Sequence, residues 1–208
     1  MKQIRRTTLA TASLIITGAL TLVACGNNSD SGSMPGMGNT TPPSSAAVSA
    51  GGFNDADVTF ASQMIPHHQQ AVQMASMAGY QATTPAVKQL ATAIKAGQDP
   101  EIKQLTGWLT SWGKPVPSPM HGHDMSGSMP GMMSEDEMSQ LGNAKGSMFD
   151  RMWTQLMIKH HQGAVAMAKT EQTSGKNAAA IALAKKIETA QNAEIATMQR
   201  LLGRLPVS

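Results

Sequence analysis

The chain is poor in several things, and each shortage excludes something. It has one cysteine, Cys25. That rules out an internal disulfide and the thiolate clusters of structural zinc sites. Aromatic residues make up only 3% of the sequence. Alternating β-branched and aromatic runs are scarce, so strand signals are weak. The one long apolar run, from about Leu9 to Ala24, is broken by Thr, Ser and Gly. It is too short for a good membrane span. No Glu-x-x-His motif occurs, although a di-iron bundle uses two of them.

That apolar run follows Lys2, Arg5 and Arg6 and reads as an export signal over residues 1–24. Its end, "LVAC", resembles the lipobox of bacterial lipoproteins. Cys25 would then be the mature N-terminus and carry acyl chains that anchor the domain to a membrane. The paired arginines hint weakly at twin-arginine export. Loss of the signal removes three of the 16 cations and none of the 13 anions, leaving a neutral chain. The basic balance therefore gives no argument for nucleic acid as a partner. Residues 25–52 are rich in Gly, Ser, Pro and Asn and read as a flexible tether. Residues 53–208 are long enough for one domain with a real core.

What the chain has is 17 methionines, six histidines and a repeat. "MIPHHQQAVQM" at 64–74 returns as "MIKHHQGAVAM" at 157–167. At the same offset Asp57 and Phe60 match Asp150 and Trp153, and Gln98, Glu101 and Ile102 match Gln191, Glu194 and Ile195. The ungapped match argues for duplication into two similar halves. Phe60, Met64, His67, Ala71, Met74 and Ala78 step by three and four, as an inward helical stripe does. Val87, Leu90, Ile94, Glu101, Leu105 and Trp108 follow similar spacing, and "GYQATTP" at 79–85 separates the two runs. The fold expected is all-α, a four-helix bundle of two repeated hairpins over 53–113 and 134–208. Pro66 predicts a kink or a late start in the first helix.

His67 and Glu101, with their counterparts His160 and Glu194, lie on stripes that otherwise point inward. Buried polar groups are costly unless paired, so these are expected to meet one another or a metal. His68 and His161 point roughly 100° away around the helix. Met64 can reach His68, and Met157 can reach His161, on one face. A thioether and an imidazole at that spacing can hold one soft ion. Met74 and Met167 lie two turns along the inner stripe, where core filling is their ordinary role. Asp57 reads as a favourable charge in a helix first turn, with an outer ligand role as the other reading of Asp57 and Asp150.

Residues 114–133 form a Met/His-rich loop that includes Met120, His121, His123, Met125, Met129, Met132 and Met133. Gly, Ser and Pro separate these residues, so no core stripe explains them. A flexible chain of thioethers and imidazoles suits Cu(I) and Ag(I). Its "SMPGM" also occurs at 33–37. "SEDE" at 134–137 is a capping-box start for a helix.

"FASQMIPHHQQAVQMA", "MPGMMSEDEM" and "FDRMWTQLMIKHHQGAVAMA" together resemble the CopM-type copper metallochaperone family over residues 53–205. The resemblance implies a ferritin-like bundle in the cell envelope, exported or lipid-anchored, on the periplasmic or outer side of a membrane. It implies Cu(I) or Ag(I) bound through Met64, His67, His68, Met74, Met157, His160, His161 and Met167, and an association with copper resistance. The expectation is a binding protein rather than an enzyme, one that buffers copper or passes it to a transfer partner. Metal ligands are expected among those eight residues, Glu101, Glu194, Met120, His121, His123 and Met125, with Cu(II) as a further ion. Occupancy at the His pairs is expected to fall below about pH 6, the ordinary His range. A di-metal Fe/Mn oxidase and a purely structural surface bundle are the alternatives.

Overall fold

The computed structural model describes residues 52–118 and 129–206. Cys25, the tether, Met120, His121, His123 and Met125 lie outside the described residues. The helices are α1 (Asp55–Gln81), α2 (Pro85–Ser111), α3 (Glu135–Asn143), α4 (Gly146–Ser174) and α5 (Ala178–Leu202). Among the described residues there is no strand, and no helix is long and apolar enough to cross a membrane. α1 packs on α2 and α4 on α5, and the two hairpins meet along α1 and α4. The expected four-helix bundle is present, with α3 as a short addition between its halves.

Local signals account for the ends. Asn54 accepts from the N–H groups of Ala56 and Asp57, and Asp57 accepts from the Asn54 N–H at 2.6 Å. This reciprocal capping starts α1. Ser134 and Glu137 form the same box at the start of α3, as the sequence predicts. Pro66 does not delay α1, which begins at Asp55 and continues through it. Pro100 likewise lies within α2.

The duplicated aspartates tie the halves together. Asp57, on α1, accepts from the N–H groups of Lys176 and Asn177 in the α4–α5 turn. Asp150, on α4, accepts from Thr83 N, Thr83 Oγ1 and Thr84 N in the α1–α2 turn. Each half thus pins the turn of the other with charge-assisted bonds. For both residues burial alone would raise the carboxyl pKa, and these donors outweigh it and hold it below the ordinary range.

The apolar core falls into two clusters. One contains Met74, Ile94, Met133, Leu141, Phe149, Trp153 and Met157. The other contains Phe60, Met64, Leu105, Leu109, Met167 and Ile187. They divide α1 between Ile65 and Ala71, and α4 between Met157 and Ala164 except for Val165, which joins the first cluster. The four paired histidines stand in that gap.

Candidate metal centre

All four histidines, His67, His68, His160 and His161, are 0% exposed. The rings of His67 and His160 meet across the α1–α4 seam, with centroids 3.8 Å apart and planes at 40°. His68 Nε2 lies 2.7 Å from Glu101 Oε2, and His161 Nε2 lies 2.8 Å from Glu194 Oε2. The sequence reading had joined Glu101 to His67. The correction follows from the packing of α1, which has two neighbours. Its His67 side faces α4 and its His68 side faces α2, so adjacent histidines find different helices.

The partners select tautomers. A carboxylate oxygen accepts, so His68 and His161 donate through Nε2 to their glutamates. A carbonyl also only accepts, so His67 Nε2, 3.1 Å from Pro130 O, donates as well. Each ring is left with Nδ1 as its lone-pair nitrogen. Among the described residues, Nδ1 of His67, His68 and His161 is buried without a hydrogen-bond partner, and so are both ring nitrogens of His160. Burial, then the neighbouring His68, pushes His67 down to about 3. Burial, then His67, holds His160 well below the ordinary range. Both rings are neutral across the physiological range, the form that can bind a metal.

Four features of this region were missed in the sequence. The first is a docked Met-rich segment. Met129, Met132 and Met133 are 5%, 4% and 1% exposed. They were expected in a flexible loop that no core stripe explains, yet Met133 belongs to a core cluster. The second is Gln70, whose amide bridges the backbone of Met133: Met133 N donates to Oε1 at 2.8 Å, and Nε2 donates to Met133 O at 2.9 Å. The third is Gly163, at the repeat position of Gln70. A Cβ there would lie 1.9 Å from Pro130 O. Gly131, at φ +77°, completes the approach, its own Cβ position being 2.7 Å from Lys159 O. The fourth is the duplicated Gln98 and Gln191. Both are buried; neither Gln98 amide atom is bonded, nor is Gln191 Oε1.

Met64 and Met157 are fully buried next to the histidine layer, and Met74 fills the core. Met167 instead lines an open groove. Among the described residues, no three His, Cys, Asp or Glu side chains are grouped to hold one ion.

A structure of this kind defines an all-α bundle with a buried, duplicated imidazole layer. The profile of the domain of unknown function DUF305 matches residues 57–202, and the chain belongs to that family. A DUF305 fragment from Deinococcus radiodurans is 33% identical, covering 73% of this chain and 98% of its own, with a TM-score of 0.66. A DUF305 protein from Streptomyces coelicolor, described as a candidate secreted protein, is 35% identical, covering 72% and 91%, with a TM-score of 0.65. CopM in its Cu(II)-bound form is 36% identical, covering 71% and 96%, with a TM-score of 0.61. CopM is also solved with Cu(I) and with silver bound. A search of curated proteins returns no significant match.

Proposed function

We propose that this protein binds Cu(I) or Ag(I) outside the cytoplasm and buffers the ion or passes it on, rather than catalysing a reaction. The observation that carries this reading is the duplicated His–Glu pair, which leaves buried Nδ1 lone pairs without partners. Metal-binding imidazoles commonly donate their other N–H to a carboxylate or carbonyl, which sets the tautomer and raises ligand basicity. Glu101, Glu194 and the Pro130 carbonyl supply that arrangement here. In this reading the two glutamates orient ligands instead of ligating. His67, His68, His160 and His161 supply nitrogen, and Met64 and Met157 are the first thioether candidates. Met74 and Met167 are further ones. CopM, a relative that matches 71% of this chain, is solved with Cu(I), Cu(II) and silver.

The remaining assignments belong to the same proposal. Export by residues 1–24 and a lipid on Cys25 would hold the domain in the cell envelope, on the far side of a membrane. Met120, His121, His123 and Met125 would collect ions, and the histidine layer would hold them for a transfer partner. Copper resistance is the physiological role this suits.

The test is a competitive Cu(I) titration against a chromophoric chelator. It compares the protein with a variant carrying His67→Ala, His68→Ala, His160→Ala and His161→Ala, with helicity followed by circular dichroism. Loss of tight binding with helicity retained is the expected result. Unchanged tight binding would make the histidines architecture only and leave copper to the Met-rich loop.

A further inference from the structure

Among the described residues, the seam between α1 and α4 is roofed along half its length. Leu141 of α3 and Met133 sit over one half, in a cluster with Ala75, Ala78, Phe149 and Trp153. Along the other half the described residues leave a groove of about 460 Å³. It runs from Pro130 at one end to Asp55 and Glu171 at the other, with Phe60, Ala166 and Met167 as apolar walls. A mostly apolar groove of this size with a few polar groups at one end has the character of a small-molecule site.

The polar end is unusual. Glu171 is 1% exposed, and among the described residues no N–H or O–H group donates to its carboxyl; its one bond is to the Asp57 carboxylate, which it meets as the protonated acid. It faces Asp57, whose oxygens are already taken by the N–H groups of Asn54, Lys176 and Asn177. Burial, then the hydrogen bond to Asp57 and the Asp57 charge, raises Glu171 to about 8. The fold does not require an acid here, because the matching position of the other half is Ala78, buried in the core. Nor does the α4–α5 turn require one. Its glycine, Gly175, lies so close that a Cβ would be 2.4 Å from Glu171 Oε1, so the turn has made room for the carboxyl. A buried acid whose one partner is another carboxyl calls for an explanation, and a cationic ligand is one.

We propose that this groove binds a small amphipathic amine, its apolar stem between Phe60, Ala166 and Met167 and its ammonium on Glu171. An ammonium offers three donors and the positive charge that two adjacent carboxyls lack. Asp55 at the groove mouth adds to that attraction, and an anion meets three carboxyl groups instead. The proposal does not depend on copper binding, since no metal enters its test.

The experiment is titration of the ¹⁵N-labelled full chain with hexylammonium, hexanol and hexanoate, followed by amide chemical shifts. Hexylammonium is expected to give saturable shifts at Ala56, Phe60 and Ala166, and hexanoate none. Glu171→Gln is expected to weaken the amine by about tenfold or more, the usual scale for a lost charge-assisted bond. Thr59→Trp, an exposed rim change that leaves Glu171 in place, is expected to block it. Equal binding of hexanol and hexylammonium, or full affinity in Glu171→Gln, would overturn the proposal. Absence of saturable shifts with hexylammonium would overturn it as well.

Discussion

Gly163→Ala puts the docked Met-rich segment to a test of sign. Replacing a glycine inside an open helix by alanine ordinarily stabilises by about 0.5–1 kcal/mol, because Gly loses more backbone entropy on folding. Gly107, in α2, is such a site: nothing lies within 4 Å of an added Cβ. At Gly163 the Cβ would lie 1.9 Å from Pro130 O and 2.8 Å from Gly131 Cα, both backbone. No side chain can swing aside, so residues 129–133 must leave the seam. Three buried methionines then reach water, worth about 1.5–3 kcal/mol each. The His67–Pro130 bond and the two Gln70–Met133 bonds are lost, at about 1 kcal/mol each. Five freed residues regain about 1–2 kcal/mol each of backbone entropy, which offsets most of this. The net expectation is a destabilisation of about 2 kcal/mol, read as a lower urea midpoint. Gly107→Ala should move the midpoint the other way. Hydrogen exchange should show Met133 N–H losing protection in Gly163→Ala. If Gly163→Ala is stabilised like Gly107→Ala, the segment is not docked as described and the Pro130 partner of His67 goes with it.

Other expectations follow from the same site. Glu101→Gln and Glu194→Gln should each lower Cu(I) affinity by about tenfold to a hundredfold with helicity unchanged, the usual scale for an outer partner of a metal ligand; unchanged affinity refutes their orienting role. The sequence-based expectation of metal loss below about pH 6 is revised by burial, since His67 stays neutral down to about 3. Cu(I) titrations at pH 7.5 and 5 should therefore agree closely at the His67–His160 pair, and a large loss at pH 5 refutes this. The same depressed value means that the unfolded chain binds a proton the native state refuses. Metal-free stability from this residue is full above about pH 6.5 and is lost as pH falls toward about 3. Glu171 acts in the opposite sense. Its raised value makes the native state keep a proton the unfolded chain has released, so stability is full below about pH 4.5 and falls as pH rises through about 8. Glu171→Gln should thus be more stable than the parent at pH 8.5, by about 2–4 kcal/mol, and level with it at pH 4. A constant difference across that range would show that the carboxyl is not the cause.

The limits of the sequence reading fall where one residue answers to two neighbours. Period and duplication sufficed for the hairpins, because a stripe of Phe60, Met64, Ala71 and Met74 can face only a core. They sufficed as well for the capping box at Ser134, where both partners lie within one turn. They misassigned Glu101 because a single inward face was assumed for α1, whereas α2 and α4 bury two faces roughly 100° apart. The Met-rich segment was read as free chain because its Gly and Pro content excludes helix and strand. Composition is silent about a segment that packs through backbone, with a carbonyl for His67 and a peptide for Gln70. One clue was present all the same. Within a stretch that differs at two other positions, Pro66/Lys159 and Gln73/Ala166, the repeat pairs Gln70 with Gly163. A polar amide on one helix and an absent side chain on the other fit a seam that holds a single strand of backbone. The two-fold symmetry of the duplication is broken there because only one such segment can occupy the seam.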